Sequence, residues 1–184
     1  MHGVNTGHTK CEEQPKESES LPQTSQATPD AFSKECEKAK AAGESAVVIT
    51  LASKFSGTYQ SAKIAAADYK NIYIVDSTSA AMGSGILIEL AFKLLDKGES
   101  AEEIAKILEE EKKKIVVVAL VDTLEYLKKG GRISKTAAFA GGVLNIKPVL
   151  SVIGGEINML GKARGSKMGN NLLVEEIKKA GGID

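Results

Sequence analysis

The stretch Val47–Ala67, VVITLASKFSGTYQSAKIAAA, decides how this chain is read. Val47, Val48, Ile49, Thr50 and Leu51 are β-branched or apolar and read as a buried strand. Ser53-Lys54-Phe55-Ser56-Gly57 is a small-residue loop, and Thr58 to Ala67, Ala-rich and free of Gly and Pro, reads as a helix. The order is strand, hydroxyl-rich turn, helix N-terminus. The first turn of a helix carries unpaired N–H groups and a partial positive charge, so it attracts anions. Ser56 and Thr58 add hydroxyls at the same point. The turn therefore reads either as a seat for a carboxylate or phosphate or as an ordinary Ser or Thr N-cap.

The bulk composition narrows the function classes. A chain of 184 residues makes one ordinary domain or two small ones, and 42% hydrophobic residues allow a real core. Aromatics are only 4% and Trp is absent, which argues against a stacking platform for single-stranded nucleic acid. Basic and acidic residues balance, 24 against 24, so the overall field points to neither nucleic acid nor a membrane surface. No apolar stretch approaches the roughly 18 residues that a membrane helix needs. The N-terminus lacks the charged-then-apolar pattern of a signal peptide. Cys11 and Cys36 do not make a disulfide framework. A cytoplasmic protein with reduced thiols and no integral membrane segment is expected.

Upstream of the opening stretch, residues 1–30 are polar and carry Pro15, Pro22 and Pro29. They read as a flexible arm, residues 1–16, followed by an extended piece. His2, His8 and Cys11 match no standard metal-site spacing, so no metal or other cofactor is expected. Leu21 to Gln26 is a short hydroxyl-bearing segment that can lie extended across a pocket mouth. It also serves as the lead-in to a helix over 31–42, capped by Thr28 or Asp30 and closed by Gly43.

Downstream, Ile72 to Val75 reads as a second strand, with Asp76-Ser77-Thr78-Ser79 at its C-terminal end. Gly83-Ser84-Gly85 opens a helix over 86–97. The Gly-x-Gly invites a dinucleotide reading, but Ile88 stands where a third Gly belongs, and tight helix packing accounts for the glycines as well. Ser100-Ala101-Glu102-Glu103 is a capping box that starts a helix running to about Lys113. Ile115 to Val121 reads as a third buried strand. This strand–helix–strand–helix–helix–strand order predicts parallel pairing with helices on the faces, and ligands beyond the C-terminal strand ends. The loops 53–58 and 76–79 both lie there.

Asp122 is expected to cap a short helix over 123–129, broken by Gly130-Gly131-Arg132-Ile133-Ser134. The double Gly either frees the Arg132 guanidinium for a ligand or is a simple C-cap beside a surface Arg. Residues 136–144 read as a small-residue, tightly packed helix. Pro148 to Ile153, Gly154-Gly155 and Glu156 to Leu160 spell a β-hairpin. Gly161 to Lys167 is a basic, glycine-punctuated loop, suited to a phosphate or an acidic partner or simply solvated, and a last helix covers 170–180.

Several motifs resemble the DegV family of bacterial fatty-acid-binding proteins. They are Thr24-Ser25-Gln26, Ser56-Gly57-Thr58-Tyr59-Gln60-Ser61-Ala62, Tyr73-Ile74-Val75-Asp76-Ser77, Leu127-Lys128-Lys129-Gly130-Gly131-Arg132-Ile133-Ser134, Asn145-Ile146-Lys147-Pro148-Val149-Leu150 and Lys162-Ala163-Arg164-Gly165. They occur in family order over roughly residues 17 to 180. The resemblance implies an α/β protein of two lobes with a long acyl chain buried between them. On this reading a parallel α/β lobe spans 17–114 and a smaller, partial α+β lobe with a hairpin spans 115–184. It implies a non-enzymatic carrier subunit that presents the carboxyl group of a bound fatty acid to a fatty acid kinase partner, where the acyl phosphate forms. By the same resemblance Thr24 and Ser56 hold the carboxyl group, with Gly57 and Thr58 beside them. Arg132 and Arg164 match positions associated with the phosphate or with docking the kinase.

Family members usually open with a strand and an Asp-Ser loop and continue past the end of this chain to a His associated with the carboxyl site. The chain thus reads as about two-thirds of a member, truncated at both ends. Two alternatives are a phosphate- or nucleotide-binding module using the 161–167 loop, and an inactive fragment. A serine hydrolase built on Ser56 lacks the Gly-x-Ser-x-Gly elbow, and both histidines lie in the arm.

Overall fold

A computed structural model of the chain describes residues 24–133 and 145–182. The opening stretch folds as its composition predicts. Strand β1 is Ala46–Thr50 and helix α2 is Thr58–Ala65, with the 51–57 loop between them. Before them comes α1, Pro29–Ala42, whose N-cap Thr28 accepts from the Ala31 N–H and whose C-cap Gly43 sits in the left-handed region. After them come β2, Ile72–Asp76, α3, Met82–Asp96, and α4, Ala101–Glu111.

β1 and β2 pair in parallel, Ala46 opposite Ile72 through Thr50 opposite Asp76. Strand alternation then sorts the side chains onto two faces. Val47, Ile49, Tyr73 and Val75 pack with Leu87 of α3 and with Ile104, Ala105 and Leu108 of α4. Ala46, Val48, Ile72 and Ile74 pack with Cys36, Ala39, Ala66 and Tyr69, on the side of α1 and α2. This makes a three-layer α/β unit. The capping box is present in full: Ser100 accepts from the Glu103 N–H, and the Glu103 side chain returns to the Ser100 N–H.

Strand β3, Val117–Leu120, departs from the parallel pattern. It pairs antiparallel with β4, Ile146–Ile153, which pairs antiparallel with β5, Glu156–Arg164, in the order β3-β4-β5. A short run that is apolar at every position carries no mark of its partner, and here the hairpin supplies one. The hairpin turns at Gly154-Gly155, both at positive φ (57° and 76°), as a two-residue primed turn requires.

The basic loop expected over 161–167 is not a loop. Gly161 to Arg164 continue β5, and Gly165 starts α6, Gly165–Lys179. The glycines allow α6 to lie close on the sheet: a Cβ at Gly161 would stand 2.8 Å from Leu172, and one at Gly169 would stand 2.8 Å from Leu120. Asp122 does not cap the short α5, Glu125–Lys129. The Thr123 hydroxyl accepts from the Glu125 N–H, while Asp122 pairs with Lys147. The helix expected over 136–144 and the arm of residues 1–16 lie outside the described residues.

Candidate functional site

The loop between β1 and α2 is gripped at three consecutive residues by three different elements. The Ser53 N–H donates to both carboxylate oxygens of Asp76, at the end of β2, at 3.2 Å each. The Lys54 ammonium lies 2.6 Å from Glu156, at the start of β5. The Phe55 carbonyl accepts from Arg132 Nε at 3.1 Å, and the same guanidinium donates through Nη1 to the Gly130 carbonyl. Arg132 and Glu156 both come from the side of the antiparallel sheet, so its loops help to shape the strand end of the parallel one. The hydrogen bond from Lys54 holds the Glu156 carboxyl below its usual range.

Beyond those anchors the chain presents hydroxyls. Ser56 Oγ and Thr58 Oγ1 share a hydrogen bond of 2.9 Å, and the Thr58 N–H donates to Ser56 Oγ at 3.3 Å. Gly57 is the N-cap and contributes no side chain. The result is a helix N-terminus with two hydroxyls, a guanidinium one loop away and partial burial. An anion is stabilised in such a place by the helix dipole and by charge-assisted hydrogen bonds. Burial, and secondarily the Asp76 and Glu109 carboxylates, push the Tyr59 phenol above its usual range.

The segment that carries Thr24 reaches this helix terminus. Gln26 Nε2 donates to Ser61 Oγ at 3.2 Å, and the Ala27 N–H donates to Thr58 Oγ1 at 3.4 Å. Gln26 lies directly over Gly57, where an added Cβ would stand 1.8 Å from its Oε1. Thr24 itself is exposed, two residues upstream. Arg132 is thus brought to the loop of Ser56, and the Thr24 segment to the helix of Thr58. Arg164 is exposed at the junction of β5 and α6, opposite Ile146, and is not one of the groups that hold the loop.

Sequence reasoning gave no individual role to Gln26 or Glu156, and placed Asp76 in a loop at the ligand end of the strands without a role of its own. Asp76 had a legible signal, since it ends a strand beside the predicted ligand loop; the other two depend on long-range contacts. Gly83 packs rather than binds, because a Cβ there would meet Ser79 Oγ at 2.0 Å and Val117 at 2.9 Å. A groove of about 740 Å³ runs along β2 between Ala66 and Ala67 on one side and Ala105 and Glu109 on the other, and no residue of the 53–58 loop lines it.

Comparison with known proteins bears on this geometry. The profile of a family described as "Uncharacterised protein, DegV family" matches residues 3–182. A DegV domain-containing protein of Caldanaerobacter subterraneus is 37% identical over 163 residues, covering 88% of this chain and 58% of the relative. A solved structure described as "Fatty Acid Binding of a DegV family Protein from Thermus thermophilus" superposes with a TM-score of 0.79 at 34% identity, over 88% of this chain and 58% of that one. A stearic acid-binding protein from Eubacterium ventriosum superposes with a TM-score of 0.77 at 30% identity, over 86% and 56%. The chain spans somewhat more than half the length of these relatives.

Proposed function

This chain belongs to the DegV family, and on that premise we propose that it binds a long-chain fatty acid and presents its carboxyl group to a fatty acid kinase partner, which forms the acyl phosphate. The observation that carries the reading is the hydroxyl pair of Ser56 and Thr58 at the N-terminus of α2, in a loop fixed from three sides. A carboxylate placed there accepts from the hydroxyls of Thr24 and Ser56 and from the backbone N–H of Gly57, with Thr58 beside them, in the partial positive field of the helix end. The acyl chain then runs between two lobes, 17–114 and 115–184, each built on its own sheet. Structural relatives described as fatty-acid-binding support this choice of ligand.

Arg132 suits the later step. Its Nε holds the Phe55 carbonyl, one residue before Ser56, and in this reading its remaining N–H donors meet the negative charge that accumulates on phosphorylation. Arg164 serves the same phosphate or docks the kinase. In this reading the chain is a carrier in the cytoplasm and catalyses nothing itself. Among the described residues no helix is long and apolar enough to cross a membrane.

The test is a titration of the purified chain with oleate. Ser56→Ala and Thr24→Ala each remove a hydroxyl partner of the carboxylate and should weaken binding by about 1–3 kcal/mol, while the melting temperature changes little. Equal oleate affinity in the wild type and both variants would remove these residues from the site.

A further inference from the structure

We infer that Asp76 is the positioning residue of the α2 seat: its carboxylate fixes the loop that aims Ser56 and Thr58, and does so without touching the ligand. The inference rests on the carboxylate-binding reading above. Asp76 ends β2, beside Thr50 at the end of β1. Its two oxygens take the Ser53 N–H at 3.2 Å each, and Oδ1 also takes the Thr78 N–H at 2.8 Å. One side chain thus ties together the loops that leave both parallel strands.

The second loop bears the mark of that tie. Thr78 sits at φ 50°, a conformation that a β-branched residue adopts only when its surroundings impose it. Its N–H is held by Asp76, and its carbonyl accepts from the Gly155 N–H of the β4–β5 turn at 2.7 Å. The neighbouring Ser79 carbonyl accepts from the Ala52 N–H at 2.7 Å. Asp76 therefore stands where the first ligand loop, the second loop and the hairpin turn are joined. Ser53, which it holds, lies three residues before Ser56, and the next two residues are held by Glu156 and Arg132.

A carboxylate is a poor direct partner for an anionic head group and a good one for converging N–H donors. Asn at this place keeps Oδ1 for Thr78 and for one of the two Ser53 contacts, but in place of Oδ2 it turns an NH₂ group toward the Ser53 N–H, donor against donor. Asp76→Asn therefore weakens the hold on the seat loop at Ser53 while leaving the Thr78 bond in place.

The experiment compares wild type, Asp76→Asn and Asp76→Glu in two ways. In the first, oleate and oleyl alcohol are titrated; the alcohol has the same chain without the anionic head. Asp76→Asn should lose about tenfold in oleate affinity and keep its affinity for the alcohol within about twofold. Equal loss for both ligands, or none for oleate, overturns the positioning role. In the second, the amide resonances of Gly57 and Thr58 are recorded without ligand and should move in Asp76→Asn. If they stay put, the inference fails whether or not the chain binds oleate. A wild type that takes up no oleate overturns the carboxylate reading and leaves these resonances to decide the positioning. Asp76→Glu keeps both acceptor oxygens on a longer arm and should recover part of the oleate affinity; should Asp76→Asn not fold, the same two comparisons are made on Asp76→Glu.

Discussion

Replacing Gly57 with Ala tests whether Gln26 lies over the start of α2. Gly57 has φ −70°, so its backbone does not require glycine. The space does, because a Cβ there would stand 1.8 Å from Gln26 Oε1 and 2.7 Å from Gln26 Cδ. The end of a glutamine can swing away, which spares the backbone but breaks the 3.2 Å hydrogen bond from Gln26 to Ser61. Ser61 is 1% exposed, so its hydroxyl loses a donor where water enters poorly, at a cost of about 1–2 kcal/mol. For a chain of this length that is a fall in Tm of roughly 2–8 °C. Gln26→Ala alone removes the same bond at a similar cost. In the Gln26→Ala background the obstructing atoms are gone, and only the few tenths of a kcal/mol that separate Gly from Ala at an N-cap remain. Urea denaturation of the two single variants and the double variant should therefore show a coupling of about 1 kcal/mol. Additive effects would refute the placement of Gln26.

Other consequences are simpler. Leu87 is fully buried among Val75, Ile104 and Leu108, so Leu87→Ala should cost about 3–5 kcal/mol in denaturant melts. Ser100→Ala should cost about 1 kcal/mol by opening the capping box. The Ser100 hydroxyl and N–H hold the Glu103 carboxyl below its ordinary value. That stabilisation is present above the unfolded carboxyl's titration and is lost as pH falls through the folded one, so Glu103→Gln should flatten this part of an acid melt. Cys36 is 4% exposed and burial pushes its thiol up, so in a Cys11→Ser variant it should resist Ellman's reagent until the chain unfolds.

Local signals fixed the parts of the fold that are local. The β-branched run at 47–51 and the unbroken Ala-rich run after it led to β1 and α2, Gly154-Gly155 led to the hairpin, and Ser100 with Glu103 led to the start of α4. Partner choice was not legible. The all-apolar run at 115–121 fits a parallel or an antiparallel neighbour equally, and β3 took the hairpin. Gly161 looked like loop punctuation because its reason, the approach of Leu172, lies in another element. Of the seat, the hydroxyls and the helix terminus could be read in advance, since they adjoin in sequence. The links Gln26–Ser61, Arg132–Phe55 and Lys54–Glu156 span 35, 77 and 102 residues, and no local pattern encodes them.

The proposed function places a fatty acid in this chain with its head group at the start of α2. Native mass spectrometry of the chain, purified from cells and kept folded, measures that occupancy directly. A bound species is expected whose extra mass matches a long-chain fatty acid, depleted in Ser56→Ala. A folded chain that flies at its bare mass, and still does so after incubation with oleate, contradicts it.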